Sequence, residues 1–210
     1  MNNYTYKNAP LADRSRPSSF DEMVGQAHLI GKNGALRALV ASGRIPSMVF
    51  FGPPGCGKTT AASIIASLSG MELRCLNATT AALADIRKIA DEADSVIGQG
   101  GILLYLDEIQ YFNKKQQQSL LECIEDGSVT LIASTTENPY FYIYNALLSR
   151  CTVFEFKSLS AADVERGIRN ALKKLSESES QPVVMDEDAC VYLAESAGGD
   201  LRKALGCLDF

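Results

Sequence analysis

The stretch from Ser47 to Ala66 constrains the fold more than any other part of the chain. It begins with the apolar run Ser-Met-Val-Phe-Phe, continues through Gly52-Pro-Pro-Gly-Cys-Gly-Lys-Thr-Thr60 and ends in Ala-Ala-Ser-Ile-Ile-Ala. This order predicts a buried strand, a glycine-rich turn and the start of a helix. Glycines let successive backbone N–H groups turn inward, and the helix adds the positive end of its dipole. The stretch therefore predicts a loop that binds an anion of phosphate size, rather than an ordinary turn.

Two side chains at the end of this loop have expected tasks of their own. Lys58 is expected to reach the β- and γ-phosphates of a nucleotide as a point charge. The Thr59 hydroxyl is expected to bind the Mg²⁺ that bridges these phosphates. The residues predicted to contact the nucleotide here are Gly52, Pro53, Pro54, Gly55, Cys56, Gly57, Lys58, Thr59 and Thr60.

Length and charge limit the classes of protein that this chain can belong to. Its 210 residues suffice for one α/β domain and a small appendage. A net charge of −5 gives no overall positive field, so any contact with DNA must come from a local patch or another region. No apolar run approaches the roughly 18 residues of a membrane helix, and the N-terminus lacks the apolar core of a signal peptide. The sequence therefore predicts a cytosolic protein without membrane contact.

The six cysteines show neither a disulfide pattern nor a zinc pattern. They contain no C-x-x-C pair and mostly occupy apolar patterns, so we expect reduced core thiols. They are Cys56, Cys75, Cys123, Cys151, Cys190 and Cys207.

Most of the chain alternates between predicted strands and predicted helices. Residues 1–19 are polar and contain Pro10 and Pro17, which predicts an extended arm instead of a helix. The predicted strands cover residues 47–51, 72–76, 102–106, 129–134 and 152–156. One helix is predicted before the first strand, at 33–42; besides the helix that follows the phosphate loop, helices are predicted between later strands at 81–96 and 113–126. Alternation of this kind predicts an α/β fold with a five-stranded parallel sheet, whose ligands bind at the carboxyl ends of the strands.

From Ser158 onward the pattern becomes entirely helical. Ser160 and Asp163 form a capping pair ahead of one predicted helix, and further helices are expected at residues 187–197 and from Asp200. We therefore predict an α/β domain over residues 1–157, including the arm, followed by a small helical lid over residues 158–210. The chain stops without a closing signal, which suggests a fragment of a longer protein.

Asp107 and Glu108 directly follow the apolar run Ile102-Leu-Leu-Tyr-Leu106, which is typical of a buried central strand. A D-E pair alone often does no more than open a solvated turn. Downstream of a phosphate loop it predicts two separate tasks. Asp107 is expected to hold Mg²⁺, directly or through water, and Glu108 to orient and deprotonate an attacking water.

Several strings in the chain resemble the AAA+ ATPases of the clamp-loader branch, and more closely the replication-associated recombination protein A family, relatives of the Werner-helicase-interacting ATPase. The strings shared with the branch are Gly52 to Thr59, Leu106-Asp-Glu-Ile109 and Leu148-Ser-Arg-Cys151. Those shared with the narrower family are Arg16-Pro17, Phe20 to Gln26, Phe112 to Gln117, Glu125-Asp-Gly127 and Ala133 to Pro139. The resemblance covers nearly the whole chain from Pro10 onward, and it implies an AAA+ P-loop fold with ATP and Mg²⁺ as cofactors.

The resemblance also implies roles for residues outside the loop. Thr136 matches sensor 1, with Thr135 as the alternative, Arg150 matches an arginine finger that reaches a neighbouring subunit, and Arg202 matches sensor 2 on the lid. Asn77 matches the polar residue that holds Glu108 away from water. Pro17, Val24, Gly25 and Gln26 match the segment that lines the adenine pocket, mostly through backbone. These roles have structural alternatives. Arg150 would then be an ordinary surface arginine, and Thr136 would be only a hydroxyl at the end of a strand.

Two departures from the family pattern occur near the expected site: Cys56 stands where Thr or Ser is usual, and Gln110-Tyr111 replaces the frequent His-Arg. Neither removes a group needed for hydrolysis, but the second leaves open any DNA or subunit contact at Tyr111.

The resemblance implies ATP hydrolysis in the maintenance or recombination of stalled replication forks by a cytoplasmic, nucleoid-associated protein. The implied partners are DNA forks, gaps or ends, a single-stranded-DNA-binding protein and further copies of the chain, such as a tetramer, joined through a missing C-terminal region. Two other functions stay open at this point. One is a clamp-loader subunit, and the other is an assembly switch that binds ATP with little turnover.

Overall fold

A computed structural model describes residues 9–96, 101–178 and 183–208. The chain divides into two compact units, which we describe one after the other. The α/β unit contains residues Ala27–Gly52 and Lys58–Phe156. The helical unit contains residues 9–26, Pro53–Gly57 and the described residues from Lys157 onward. The predicted division after residue 157 stays a prediction.

The strands and helices of both units are numbered in chain order. The strands are β1 (Met48–Phe51), β2 (Glu72–Asn77), β3 (Ile102–Asp107), β4 (Val129–Thr135) and β5 (Thr152–Glu155). The helices are α1 (Leu11–Arg14), α2 (Ala27–Ile30), α3 (Ala35–Ala41), α4 (Lys58–Ser69), α5 (Leu83–Val96), α6 (Lys114–Glu125), α7 (Pro139–Tyr142), α8 (Asn145–Leu148), α9 (Ala161–Ser178), α10 (Glu187–Ser196) and α11 (Leu201–Gly206). A short 3₁₀ helix covers Ile109–Tyr111.

The α/β unit is built on a five-stranded sheet with the order β2-β3-β4-β1-β5. Every neighbouring pair of strands is parallel, as the alternation of strands and helices predicted. All residues of β3 from Ile102 to Leu106 are buried, because helices cover both faces of a parallel sheet. Because β3, β4 and β1 run parallel, their carboxyl ends lie at the same edge of the sheet.

A capping box explains where α6, which follows β3 in the chain, begins. Asn113 accepts a hydrogen bond from the Gln116 backbone N–H at 3.0 Å, and the Gln116 side chain accepts one from the Asn113 backbone N–H at 3.0 Å. This capping box satisfies two of the N–H groups that the first turn of α6 would otherwise leave unpaired. On the inner face of α6, Leu120 and Cys123 are buried in the core of the unit.

The helical unit packs α9, α10 and α11 around its own apolar core, which includes Val164, Ile168 and Ala204. The capping pair predicted ahead of α9 is confirmed. The Ser160 hydroxyl donates to the Asp163 carboxylate at 2.7 Å, and the Asp163 backbone N–H donates to the Ser160 hydroxyl at 3.1 Å. The helical unit therefore has an apolar core of its own.

Of the extended arm predicted over residues 1–19, residues 1–8 lie outside the described residues. The prediction is wrong for residues 11–14, which form the helical turn α1. Pro10 directly precedes this turn, a position where a missing N–H breaks no helical hydrogen bond. Leu11 is buried, and α1 contacts α11. Further along, the Lys174 ammonium donates to Glu22 at 2.7 Å. The buried Leu11 and the ion pair of Glu22 with Lys174 thus stabilise a segment whose prolines predicted an extended arm.

The cysteine prediction holds only in part. None of the six cysteines, all of which lie in the described ranges, forms a disulfide; Cys56, Cys123 and Cys190 are buried, but Cys75 and Cys207 are exposed. Separately, none of the helices in the described ranges is long and apolar enough to cross a membrane.

Candidate functional site

The loop after β1 begins at Gly52, where the backbone has no space for a side chain. Gly52 has a φ of +145°, and an added Cβ would lie 2.0 Å from the Phe156 carbonyl oxygen. The Gly52 carbonyl accepts a hydrogen bond from the Lys58 ammonium at 2.6 Å. Lys58 is nearly buried, and a buried charge is costly unless oxygen acceptors or an anion surround it. Lys58 is thus held beside the start of the loop, where an anion would stabilise it.

The middle of the loop, Pro53–Gly57, packs within the helical unit. A Cβ at Gly55 would lie 1.8 Å from an oxygen of the Asp200 side chain, and Gly55 has a φ of +66°. The same Asp200 side chain caps α11 by accepting from the Lys203 backbone N–H at 3.0 Å. The Cys56 thiol donates to the Pro53 carbonyl at 2.9 Å. Glycine at position 55 therefore lets the loop pack closely against the residue that starts α11.

The predicted adenine segment lies in the same unit as the middle of the loop. The Gln26 amide donates to the Lys157 carbonyl at 2.6 Å and to the Cys56 carbonyl at 3.3 Å, while its oxygen accepts from the Lys157 backbone N–H at 3.0 Å. The Gln26 side chain is therefore committed to backbone groups, which leaves only its main chain for a ligand. Val24 belongs to the core of the unit, and Pro17 is half-buried.

Four side chains form a polar network at the carboxyl end of β3. The Tyr105 hydroxyl lies 2.9 Å from the Thr59 hydroxyl, 2.9 Å from the Ser134 hydroxyl and 3.3 Å from Asp107 Oδ1. The Ser134 hydroxyl also donates a hydrogen bond to Asp107 Oδ1. Both residues predicted to hold Mg²⁺, Thr59 and Asp107, thus meet the same phenol hydroxyl.

Tyr105 and Ser134 are members of this network that the sequence analysis missed. Tyr105 is 3% exposed, and burial, with the nearby negative charge of Asp107, raises the pKa of its phenol. The signal was present in the sequence. Side chains two residues apart in a strand point to the same face, so a hydroxyl two positions before Asp107 belongs on the face of that carboxylate.

Glu108 has an unusual backbone conformation for a residue other than glycine, which it shares with Gln26 among the described residues. It lies in the left-handed region with φ 57° and ψ 46°. A residue other than glycine in this region is strained by about 1–3 kcal/mol, and such strain concentrates at functional positions. The Gln110 amide donates a hydrogen bond to the Glu108 carboxylate, while Gln110 Oε1 is buried without a partner in the described part of the chain. Within the described part of the chain, one hydrogen bond therefore restrains the Glu108 carboxylate.

Asn77 ends β2 in register with Asp107, as a residue close to Glu108 should. Its side-chain oxygen, however, accepts from the backbone N–H of Thr79 at 2.9 Å and from the Thr79 hydroxyl at 2.6 Å. The amide is exposed and is committed to a local turn in this structure. The role of Asn77 toward Glu108 stays a prediction.

The two threonines at the end of β4 differ in exposure. Thr135 is buried, and its hydroxyl accepts from the Glu137 backbone N–H at 2.9 Å. Thr136 comes after the last residue of β4 and is exposed. The hydroxyl of Thr136 is thus the more accessible of the two.

The two predicted arginines are both exposed, although they lie in different units. In the α/β unit, the Arg150 guanidinium pairs with Glu125 at 2.5 Å and donates to the Ala146 carbonyl at 2.9 Å. In the helical unit, Arg202 is the second residue of α11 and is exposed, with Leu205 of the same helix buried. Within the described ranges, Arg202 has no hydrogen-bond or ion-pair partner.

The comparison with known proteins agrees with this geometry. Residues 48–159 match the family described as "ATPase family associated with various cellular activities (AAA)". The chain is 41% identical over 202 residues to the replication-associated recombination protein A of Haemophilus influenzae, covering 95% of this chain and 45% of that protein. It is 40% identical over 202 residues to the ATPase WRNIP1 of Dictyostelium discoideum, covering 96% of this chain and 23% of that protein. The chain thus spans about half or less of the length of these relatives.

Among solved structures, the fold is similar to the Thermotoga maritima RuvB Holliday junction branch migration motor. The TM-score is 0.71 at 26% identity, and the match covers 91% of this chain and 63% of that one. The predicted P-loop fold with its five-stranded parallel sheet is therefore confirmed, and so is the resemblance to the replication-associated recombination proteins A. Because the family match covers more than half of the sequence, this chain belongs to the AAA family of ATPases.

Proposed function

We propose that this chain is an ATP-binding and ATP-hydrolysing domain. The observation that carries the proposal is that Thr59, at the start of α4, and Asp107, at the end of β3, share hydrogen-bond contacts with the Tyr105 hydroxyl. A phosphate loop followed by a helix provides the phosphate site, and a carboxylate beside its threonine provides the cation site.

The donor atoms of this pair fit Mg²⁺. Mg²⁺ prefers oxygen ligands and is usually bound through one or two carboxylates together with substrate phosphates, instead of a cage made by protein alone. When bound by Thr59 and Asp107, the ion would neutralise charge on the phosphates.

The remaining residues of the site have distinct roles in the proposed hydrolysis. Backbone N–H groups of the loop from Gly52 to Thr60 would bind the phosphates, and Lys58 would add a positive charge. Glu108 would accept the proton of the attacking water, and Thr136 would orient that water or the γ-phosphate. Exposure of its hydroxyl supports Thr136 over Thr135.

Four further parts of the chain would complete the site. Arg150 would act on the nucleotide of a neighbouring copy, and its exposure supports a role outside its own subunit. Arg202 would act from the helical unit, and Asn77 would hold Glu108 back. The backbone of Pro17 and Val24–Gln26 would contact the adenine, a role supported by the engagement of the Gln26 side chain with backbone groups.

A thermal-shift experiment tests nucleotide binding directly. A ligand that binds only the folded state at a hundredfold excess over its Kd stabilises that state by about 2.7 kcal/mol. ATP with Mg²⁺ should therefore raise the melting temperature of the wild type and of Lys115→Ala, which removes an exposed lysine. Lys58→Ala should remove the shift. An equal shift in Lys58→Ala would show that the loop is not the binding site.

We further propose that the hydrolysis serves recombination associated with DNA replication, in a homo-oligomer that contacts DNA. The names of the curated relatives and of the RuvB branch migration motor support this proposal. Steady-state ATP hydrolysis should rise with single-stranded or gapped DNA when the protein is in its assembled form. Binding of ATP with no turnover under any of these conditions would instead favour an assembly switch.

A further inference from the structure

Tyr105 is a buried residue whose only polar group lies among predicted ligands of the cation. It is 3% exposed in the middle of the sheet, where its partners in register are Cys75 and Ile132. A phenylalanine would fill the same space without the cost of burying a hydroxyl, which is substantial unless the hydroxyl is hydrogen-bonded. The hydroxyl contacts Thr59, Asp107 and Ser134.

Counting protons assigns a direction to each of these contacts. The Asp107 carboxylate can only accept, and the Ser134 hydroxyl donates to Asp107 Oδ1. The single Tyr105 proton is directed to Ser134 or to Asp107, at 2.9 Å and 3.3 Å. The proton in the Thr59–Tyr105 contact must therefore come from Thr59.

This assignment has consequences for both predicted ligands. Because the Thr59 proton points at Tyr105, the lone pairs of the Thr59 oxygen are directed away from Tyr105 and are available to a cation. Asp107 Oδ1 accepts from Ser134 and Tyr105, so Oδ2 is the oxygen left for a cation or for a water bound to it. Outer contacts of this kind fix the orientation of metal ligands and tune their affinity.

We propose that Tyr105 is a positioning residue for Mg²⁺, which orients the Thr59 hydroxyl and the Asp107 carboxylate through its phenol group. The proposal rests on the proposed nucleotide function of the same site. Ser134 acts on the same carboxylate oxygen and is the second member of this positioning pair.

The test measures how ATP binding depends on Mg²⁺, which does not require turnover. Tyr105→Phe keeps the ring and removes only the hydroxyl. Tyr111→Phe is the matched control, because Tyr111 is 64% exposed. Binding of a fluorescent ATP analogue is titrated with MgCl₂, and is measured separately in EDTA. We expect Tyr105→Phe to raise the half-saturating Mg²⁺ concentration about tenfold, with binding in EDTA unchanged and Tyr111→Phe equal to the wild type.

Ser134→Ala and a double-substitution cycle extend the test. Ser134→Ala should also raise the half-saturating Mg²⁺ concentration. Tyr105→Phe should have a smaller effect when combined with Thr59→Ala than on its own, because, of its contacts with the two predicted ligands, only the one with Asp107 then remains to be lost. Unchanged Mg²⁺ dependence in a folded Tyr105→Phe, or equal losses with and without Mg²⁺, would overturn the positioning role while leaving nucleotide binding intact. A wild type that bound no ATP at all would overturn the proposed function, and this inference with it.

Discussion

Asp107 and Arg150 belong to the same α/β unit but differ in how they are held. Asp107 is fixed at the end of a buried strand by the hydroxyls of Tyr105 and Ser134. Arg150 lies on the surface, where its partner Glu125 is also about half exposed. A surface ion pair of this kind contributes about 1 kcal/mol at most. Asp107 is thus oriented before a ligand arrives, whereas the Arg150 ion pair is weak enough to break, as the proposed action on another copy requires.

The largest effect that tests this comparison is expected at Arg150. An arginine supplied by a neighbouring molecule accounts for about 10³- to 10⁵-fold in rate in other nucleotide hydrolases. Arg150→Ala should therefore abolish most ATP turnover of the assembled protein, while ATP binding and thermal stability stay near wild type. Steady-state hydrolysis and thermal shift measure the two properties.

Two controls separate an action on a neighbour from a local structural role of Arg150. Glu125→Gln breaks the same ion pair and keeps the guanidinium, so it should retain turnover. Mixtures of Arg150→Ala with Lys58→Ala should recover part of the activity, because some interfaces then pair an intact loop with an intact arginine. If Glu125→Gln lost as much activity as Arg150→Ala, Arg150 would not act in trans. The same would follow if mixtures of Arg150→Ala and Lys58→Ala never recovered activity although their subunits exchange.

The second largest effect is expected at Glu108. One hydrogen bond from Gln110 restrains its carboxylate, so Glu108 is held less firmly than Asp107, which accepts two. Glu108→Gln keeps the shape of the side chain but cannot accept a proton, so ATP turnover should fall about 10²- to 10⁴-fold with ATP binding retained. Glu137→Gln, at an exposed position after β4, is the control. Wild-type turnover in Glu108→Gln would assign the base to another residue.

A smaller effect is expected from Asp107→Asn. The amide keeps the size of the side chain but removes the negative charge, so the Mg²⁺-dependent part of ATP binding should weaken about tenfold or more. Asp91→Asn changes an exposed aspartate on α5 and should leave binding unchanged. The measurement is isothermal titration of ATP in Mg²⁺ and in EDTA. Equal affinities of Asp107→Asn and the wild type in Mg²⁺ would mean that this carboxylate does not hold the ion.

The contrast between buried and exposed groups also shows which parts of the molecule were predictable. The run from Ile102 to Leu106 identified β3, and the pair Ser160 and Asp163 identified the start of α9, because each signal is local. The contacts of Tyr105 with Thr59 and Ser134 join three separate elements, and a sequence pattern does not state which side chains meet. Likewise, the packing of Leu11 overrode the local signal of its neighbouring proline, Pro10.

The smallest predicted effect lies in the helical unit, at the ion pair of Glu22 and Lys174. The hydrogen bond from Lys174, with further ones from Ser18, lowers the pKa of Glu22 from 4.5 to about 2. A carboxyl whose pKa is lower in the folded state stabilises that state above its unfolded pKa, and this contribution is lost as the pH falls through the folded value. Glu22→Gln should thus reduce the free energy of unfolding by about 1 kcal/mol at most at pH 7.

The difference between Glu22→Gln and the wild type should shrink as the pH falls from 4.5 toward 2. Denaturant unfolding across this range measures the difference, and the carboxyl carbon shift of Glu22 reports its titration. Glu177→Gln, at an exposed position on α9, is the control for the removal of one exposed carboxyl. A Glu22 carboxyl that titrated near 4.5 in the folded protein would contradict the ion pair.

The close contact between Gly55 and Asp200 has a consequence for the order in which the protein matures. Gly55 leaves the ribosome early in synthesis, but the Asp200 side chain against which it packs is added near the end of the described chain. During synthesis, domains fold as units in order from the N-terminus. The phosphate loop can therefore complete its packing only after Asp200 has been translated. In growing chains that end before Asp200, the loop would lack this packing partner, although all five strands of the sheet would already have been translated.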